Sequence, residues 1–309
     1  MLKPRSHRAL LQFVAIVVAG LVFPVLIRSQ QDDDVVRVNT DLVVLNITVT
    51  DKAGQYIPGL RLSDFTILDD GKEVPAQLVS SFSVHESPFA SVVLLDTSGS
   101  MENRLSLARS AAIRFLDRLR EEDVAAVYKF DSQVEQVQEF STSRDLAPMA
   151  FGMRAKGMTT LNDAIVDAAK ALAGRMEKRK AIIILSDGLD THSKASSEKA
   201  VESALAIGAS IYAVDMSAAE GGSLRNQQSA GVLRGFADKS GGRFVATPGG
   251  QALRDAFASI AEELGHQYTI AYRPLNLVRD GKWHKLDVKT SRSDLVVRTR
   301  KAYQAPKKK

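Results

Sequence analysis

The 309-residue chain contains no cysteine. It therefore has neither a disulfide framework nor a cysteine at which a lipoprotein anchor could be attached. This absence leaves the redox compartment open, since exported proteins are often stable without disulfides.

The sequence also lacks the usual signatures of hydrolytic enzymes. Its five histidines show no metal-type spacing, there is no HExxH motif, and no GxSxG motif surrounds Ser98. The segment DTSG is similar to the aspartic protease signature, but no second matching motif accompanies it. We therefore expect no catalytic residue and no bound organic cofactor.

The excess of basic residues lies at the ends of the chain. The formal net charge is +5, and the seven positive charges of Lys3, Arg5, Arg8, Arg28 and residues 307–309 account for all of it. Without those seven the net charge becomes −2. A near-neutral body has no concentrated basic face, which argues against nucleic-acid binding.

An apolar run follows the basic N-terminus. Residues 9–27 are almost wholly apolar and precede an acidic cluster at residues 32–34. This pattern predicts an export signal and hence an extracytoplasmic protein, whether periplasmic, secreted or anchored. At about 19 residues the run is long enough to span a bilayer. Residues 1–31 are thus either a cleaved signal peptide or a single-pass membrane anchor through residues 9–27.

The most informative motif is DTSGS at residues 96–100, directly after the apolar run 91–95. Such a run predicts a buried parallel strand, and ligands bind these sheets beyond the carboxyl ends of the strands. Asp96, Ser98 and Ser100 offer one carboxylate and two hydroxyls, an all-oxygen set suited to Mg²⁺. The alternative is that Ser100 merely caps the following helix.

Two later segments supply further oxygen ligands. Thr159 lies in a polar loop that opens a helical pattern, and Asp187 follows the apolar run 181–185. Together with the DTSGS residues, these positions resemble the metal-ion-dependent adhesion site (MIDAS) of von Willebrand factor A (vWA) domains. In that family the site has the sequence pattern DxSxS, followed by a distant Thr and a distant Asp that often precedes Gly.

The resemblance implies a function. It implies that Asp96, Ser98, Ser100, Thr159 and Asp187 bind Mg²⁺, with Mn²⁺ or Ca²⁺ as alternatives, and that a protein partner presents Asp or Glu to the ion. The expected protein is a non-enzymatic adhesion module. One alternative is a Mg²⁺-dependent hydrolase, in which Asp96 or a metal-bound water is the nucleophile and Asp190 or His192 the base. Another is a structural envelope scaffold.

The loop that contains Asp190 and His192 has simpler interpretations. His192 is typical of a solvated loop histidine, and Asp190 of an ordinary loop acid, although Asp190 could also tune the site or bind a second cation. Met101, Met153 and Met158 are expected to fill gaps in the core or to rim the site.

Between residues 89 and 265, buried-strand runs alternate with amphipathic helical patterns. This alternation predicts a doubly wound, mostly parallel α/β sheet, similar to the Rossmann fold, which the resemblance identifies as a vWA domain. Strands are predicted at 91–95, 124–130, 134–140 (as an edge hairpin partner), 181–185, 210–216 and 243–246, and helices at 104–120, 161–172, 196–207, 229–239 and 250–264.

Both flanks of this domain are predicted to be β. Residues 35–88 contain a strand at 36–50 and a hairpin turn at 69–72 between strands 65–68 and 74–84. Residues 266–303 contain a second hairpin turn at 279–282 between strands 267–272 and 285–289, then a strand at 295–303. Residues 304–309 form a basic tail.

These C-terminal strands are too few to be stable alone. We therefore expect them to join residues 35–88 in one small β-sandwich-like module, built from both ends of the chain around the inserted domain. This layout resembles a bacterial exported family with a vWA-related domain.

Overall fold

The computed structural model describes residues 42–84, 87–217, 224–246, 250–275 and 279–306. Its α-helices are α1 (Leu105–Asp117), α2 (Leu161–Ala173), α3 (Ser197–Ala206), α4 (Leu224–Ser240) and α5 (Gly250–Gly265). Its strands are β1 (Val43–Thr50), β2 (Phe65–Asp69), β3 (Lys72–Glu73), β4 (Val79–Val84), β5 (Phe89–Asp96), β6 (Val124–Phe130), β7 (Val134–Ser141), β8 (Arg179–Ser186), β9 (Ala209–Asp215), β10 (Phe244–Ala246), β11 (Tyr268–Tyr272), β12 (Trp283–Thr290), β13 (Val296–Arg298) and β14 (Ala302–Gln304).

The central sheet has six strands in the order β10-β9-β8-β5-β6-β7. All neighbours are parallel except β6 and β7, which form the predicted antiparallel edge pair. Every residue of β5 is buried, because helices cover both faces of the sheet. The predicted doubly wound fold is confirmed.

Each face of the sheet packs on its own set of helices. Helices α1 and α5 form a core with the sheet that includes Leu105, Phe115 and Phe257. Helices α2, α3 and α4 form the opposite core, which includes Ile165 and Leu233. The apolar positions that bury these helices recur every three to four residues, as expected of amphipathic helices.

Strands from the two ends of the chain build a β-sandwich. One sheet has the order β13-β1-β11-β4 and the other β14-β12-β2-β3. Their inner faces share a core that includes Leu45, Ile47, Ile67, Tyr268 and Leu286. The prediction that N- and C-terminal strands join in one module is confirmed, and the described residues belong to one compact unit.

Three details of the predicted β pattern are wrong. The strand expected at 74–84 begins only at Val79, because Pro75 has no N–H for a ladder and residues 76–78 form a 3₁₀ turn. This strand, β4, pairs with β11, and the hairpin partner of β2 is β3. The turn at 279–282 joins no hairpin, because β11 and β12 lie in different sheets. The strand expected at 295–303 is divided into β13 and β14, which also belong to different sheets.

The predicted export segment, residues 1–31, lies outside the described residues. So do half of the predicted basic tail, residues 307–309, and the start of the strand predicted at 36–50. Among the described helices, none combines the length and apolarity needed to cross a bilayer.

Candidate metal centre

Asp96, the last residue of β5, has no solvent exposure. Its Oδ2 accepts a hydrogen bond from Ser186 Oγ at 2.5 Å, and its Oδ1 accepts one from Ser98 N at 2.9 Å. These bonds fix the carboxylate at the carboxyl end of the central strand.

Burial raises the pKa of Asp96 to about 7. The hydrogen bonds from Ser186 and Ser98 oppose this effect, while the negative charge of Asp187 raises the pKa further. The two acids predicted to bind metal are thus close enough to repel each other. Asp187 itself is only 5% exposed.

The two serines of the motif lie side by side. Ser98 Oγ and Ser100 Oγ are 3.1 Å apart, and Ser98 is buried whereas Ser100 is exposed. A short 3₁₀ turn at Gly99–Met101 brings them together. Helix α1 begins only at Leu105, so the alternative role of Ser100 as its cap is wrong.

Backbone hydrogen bonds hold the loop of Thr159 against the DTSGS loop. Gly99 N donates to Gly157 O at 3.2 Å, and Lys156 N donates to Thr97 O at 2.9 Å. Gly157 has a φ of 75°, and a Cβ there would lie 2.5 Å from Ser132 Oγ, so the loop requires glycine. Thr159 is buried at the end of this segment.

The Asp187 loop is linked to both others. Ser186 Oγ, which donates to Asp96, also accepts a hydrogen bond from Gly188 N at 2.9 Å. Thr159 N donates to Thr191 Oγ1 at 3.0 Å, and Thr159 O accepts from Thr191 N at the same distance. The five predicted ligands therefore lie on three interlinked loops at one edge of the sheet.

The strand order explains why this edge is a binding crevice. From β5 the chain moves to β6 on one side and later returns to β8 on the other. Loops leaving neighbouring strands in opposite directions open a crevice at the carboxyl ends of those strands. Asp96 ends β5, and Asp187 follows β8 directly.

The residues at this edge fit a divalent cation. In the described part of the chain, no Lys, Arg or His forms a salt bridge with Asp96 or Asp187, although both acids are buried. Buried charges in proteins are normally paired or bound to metal. Two carboxylates with neighbouring hydroxyls form the hard-oxygen donor set that Mg²⁺ prefers.

Residues beyond the predicted ligand set support the site. Ser186 orients Asp96, and Thr191 holds the Thr159 loop, but the sequence alone predicts a role for neither residue. The only available signal was the position of Ser186 in the Ser-Asp-Gly triplet after β8. A hydroxyl beside an acid is too common in loops to be singled out.

The remaining loop residues have defined places. Asp190 Oδ2 accepts a hydrogen bond from Asn162 N at 2.7 Å, and its Oδ1 accepts one from Ser193 N at 3.0 Å, so this acid organises its loop. His192 is exposed and lines a polar groove of about 560 Å³ beside α2. Met101 and Met153 are buried in the core, whereas Met158 is 50% exposed on the rim.

Comparison with known proteins agrees with this fold. Residues 91–189 match the sequence model of the von Willebrand factor type A domain family. A solved von Willebrand factor type A structure from Catenulispora acidiphila is 15% identical, with a TM-score of 0.50 over 81% of this chain and 74% of that one. The chain thus contains a vWA domain, whose matched segment includes all five predicted ligands.

Two other similarities are more limited. The PilB minor pilin from Streptococcus sanguinis is 14% identical, with a TM-score of 0.48 over 58% of this chain and 61% of that one. An uncharacterized protein of Synechocystis is 31% identical over 110 residues, which are 34% of this chain. The match spans only 26% of the length of that relative.

Proposed function

We propose that the protein is an exported, non-enzymatic binding module that coordinates an acidic group of a protein partner through a divalent cation. Asp96, Ser98, Ser100, Thr159 and Asp187 would hold the cation, with Mg²⁺ as the first candidate and Mn²⁺ or Ca²⁺ as alternatives. The observation that carries this proposal is the pair of buried acids, Asp96 and Asp187, for which the described residues supply no salt-bridge partner.

The ligand chemistry favours recognition. Two carboxylates match the charge of one divalent cation, while neutral hydroxyls complete much of its shell. A cation held in this way readily keeps water, which a carboxylate of a partner can replace. Asp190, a candidate base for hydrolysis, instead accepts hydrogen bonds from the backbone N–H groups of Asn162 on α2 and Ser193 in its own loop.

Export is the second part of the proposal. It is supported by the basic N-terminus and the apolar run at residues 9–27, which together have the pattern of an export signal. The partner would then be an extracytoplasmic protein.

Calorimetric titration with Mg²⁺ tests the metal site. The wild type should bind one equivalent, and Asp96→Ala should abolish saturable binding. Asp215→Asn is a matched control, because Asp215 is also a buried acid at the end of a central strand, where its Oδ1 accepts from Ser217 N. Equal Mg²⁺ binding by wild type and Asp96→Ala would refute the ligand assignment.

The partner chemistry needs a separate assay. With Mg²⁺ bound, a glutamate-containing peptide array should bind the wild type better than the same array with glutamine, and chelator should remove the difference. Metal-dependent turnover of phosphoesters or esters that is lost in Asp96→Ala would instead establish the hydrolase alternative.

A further inference from the structure

We propose a second cation site in the β-sandwich, formed by Asp69, Asp70 and His284 and selective for borderline transition-metal ions such as Zn²⁺. Asp69 ends β2, Asp70 lies in the turn before β3, and His284 is on β12. One ligand atom from each of the three side chains lies within 4.8 Å of the others. This site is independent of the proposed function of the vWA domain.

Strand pairing brings the three residues together from distant parts of the sequence. Asp69 pairs with Leu286 in the register of β2 and β12. Asp70 N donates to Lys285 O at 2.9 Å, and Lys285 N donates back to Asp70 Oδ1 at 2.8 Å. The acids are therefore fixed beside the imidazole by the backbone of the sheet.

The imidazole is oriented as a ligand requires. His284 Nδ1 lies 2.7 Å from Asp70 Oδ2, and the ring stacks on Tyr303 with centroids 5.1 Å apart. The other ring nitrogen, Nε2, is buried, makes no hydrogen bond to any described residue and lies 3.7 Å from Asp280 Oδ1. Histidines that bind metal commonly donate their second N–H to a carboxylate. The Asp280 carboxylate lies beside Nε2 here, just beyond hydrogen-bond distance.

The buried acid has the supporting contacts of a metal ligand. Asp69 is 5% exposed, and its Oδ2 accepts hydrogen bonds from Tyr272 at 3.2 Å and Tyr303 at 3.1 Å. Hydrogen bonds to a ligating carboxylate fix its orientation. These tyrosines come from the opposite sheet and from β14, so the sandwich core itself holds this acid.

The ligand types set the selectivity. One imidazole and two carboxylates suit Zn²⁺, Co²⁺ or Ni²⁺, whereas Mg²⁺ prefers oxygen alone. The side chain of Asp70 is 52% exposed, so water can complete the coordination shell. Lys72, on β3, offsets part of the negative charge beside Asp70.

Titration of the full chain with Zn²⁺ tests the proposal. The Asp96→Ala protein suits this titration, because its vWA site does not contribute. Wild type in excess Mg²⁺ provides a second measurement that does not depend on the stability of that variant. One equivalent should bind in both experiments, and Co²⁺ should give a visible spectrum with nitrogen coordination. Failure of Mg²⁺ to bind the vWA site would leave this result unchanged.

Three variants locate the ion. His284→Gln should abolish Zn²⁺ binding, although the glutamine side-chain amide can still donate a hydrogen bond to Asp70. Asp70→Asn should weaken binding at least 10-fold, and asparagine tolerates the φ of 49° at this position. Asp294→Asn, an exposed acid of the same module, is the matched control. The proposal would be overturned if wild type showed no saturable Zn²⁺ binding, or if binding were unchanged in both His284→Gln and Asp70→Asn. The hydrogen bond between His284 and Asp70 would then serve only to fix the turn.

Discussion

Glu263 is the buried charge that connects the sandwich to the vWA domain. It lies on α5 with 1% exposure. Its Oε1 accepts hydrogen bonds from Thr48 on β1 at 3.2 Å, from Tyr212 on β9 at 2.8 Å and from Arg298 on β13. Its Oε2 lies 3.5 Å from Arg243 Nε. We predict that Glu263→Ala destabilises the protein more than any exposed substitution on α5.

The magnitude follows from the partners left behind. Removing one member of a buried ion pair typically costs about 3–5 kcal/mol, because the remaining charge is buried without compensation. Here Arg298 loses its closest acid, and the Tyr212 hydroxyl loses its acceptor. Whole domains are stable by only about 5–15 kcal/mol, so the variant should lose a large fraction of its stability. Its melting temperature should fall by roughly 6–20 °C, at about 2–4 °C per kcal/mol.

The unfolding of the two modules in urea can be monitored separately by two spectroscopic signals. Trp283, the single tryptophan, lies on β12 and reports the sandwich by fluorescence. Circular dichroism at 222 nm reports the helices of the vWA domain. In wild type the two transitions should coincide, and in Glu263→Ala we expect the tryptophan transition to occur first.

Glu262→Ala is the matched control, since its side chain is exposed on the same turn of α5. It should change the free energy of unfolding by less than about 0.5 kcal/mol. If Glu263→Ala cost less than about 1 kcal/mol with coincident transitions, the inference that this acid couples the modules would be refuted.

Three further predictions test packing, titration and charge. Gly242→Ala should destabilise the protein by about 3 kcal/mol or more, since its Cβ would lie 2.0 Å from Ile211 O. A Cβ at Gly235 in α4 would meet no atom of the described residues within 4 Å, so Gly235→Ala should stabilise the protein by about 0.5–1 kcal/mol. Equal midpoints of urea unfolding in the two variants would contradict this prediction. The pKa of Tyr56 is raised from 10.0 to about 12, mainly by burial and next by the charge of Glu263. The contribution of Tyr56 to stability is therefore complete below about pH 10 and is lost as the pH rises towards 12. The loss of stability at alkaline pH should be smaller in Tyr56→Phe than in wild type. Equal slopes of unfolding free energy against pH in the two proteins would disprove this contribution of Tyr56. In chelator, Asp187→Asn should melt no lower than wild type, because it removes charge repulsion with Asp96. Mg²⁺ should raise the melting temperature of wild type but not that of the variant. A melting temperature of Asp187→Asn below that of wild type in chelator would count against the repulsion.

The vWA domain could be predicted because its signals are local. Each buried strand, such as residues 91–95, is a continuous apolar run, and each helix has apolar residues at the helical period. The candidate ligands follow the strands, and parallel strands place their carboxyl ends at one edge. The roles of Ser186 and Thr191 could not be predicted, since they depend on contacts between loops that sequence spacing does not encode.

Local sequence signals fail to predict the strand pairing of the sandwich, because its strands pair with partners that are far away in the sequence. The run 295–303 has the composition of one strand, yet β13 pairs with β1 while β14 pairs with β12 in the other sheet. The switch occurs at Thr299 and Arg300, which pack against the backbone of Gly241 on the vWA domain. Thr299 Oγ1 donates to Asn46 O at 2.8 Å, and Arg300 donates to Leu205 O at 3.0 Å. The contacts with Gly241 and Leu205 bind the crossing segment to the inserted domain, whereas the bond to Asn46 holds it to β1 of the sandwich, so the strand is divided by its packing against another part of the chain. The same long-range pairing places His284 beside Asp70, and a metal site formed in this way has no motif that the sequence alone could reveal.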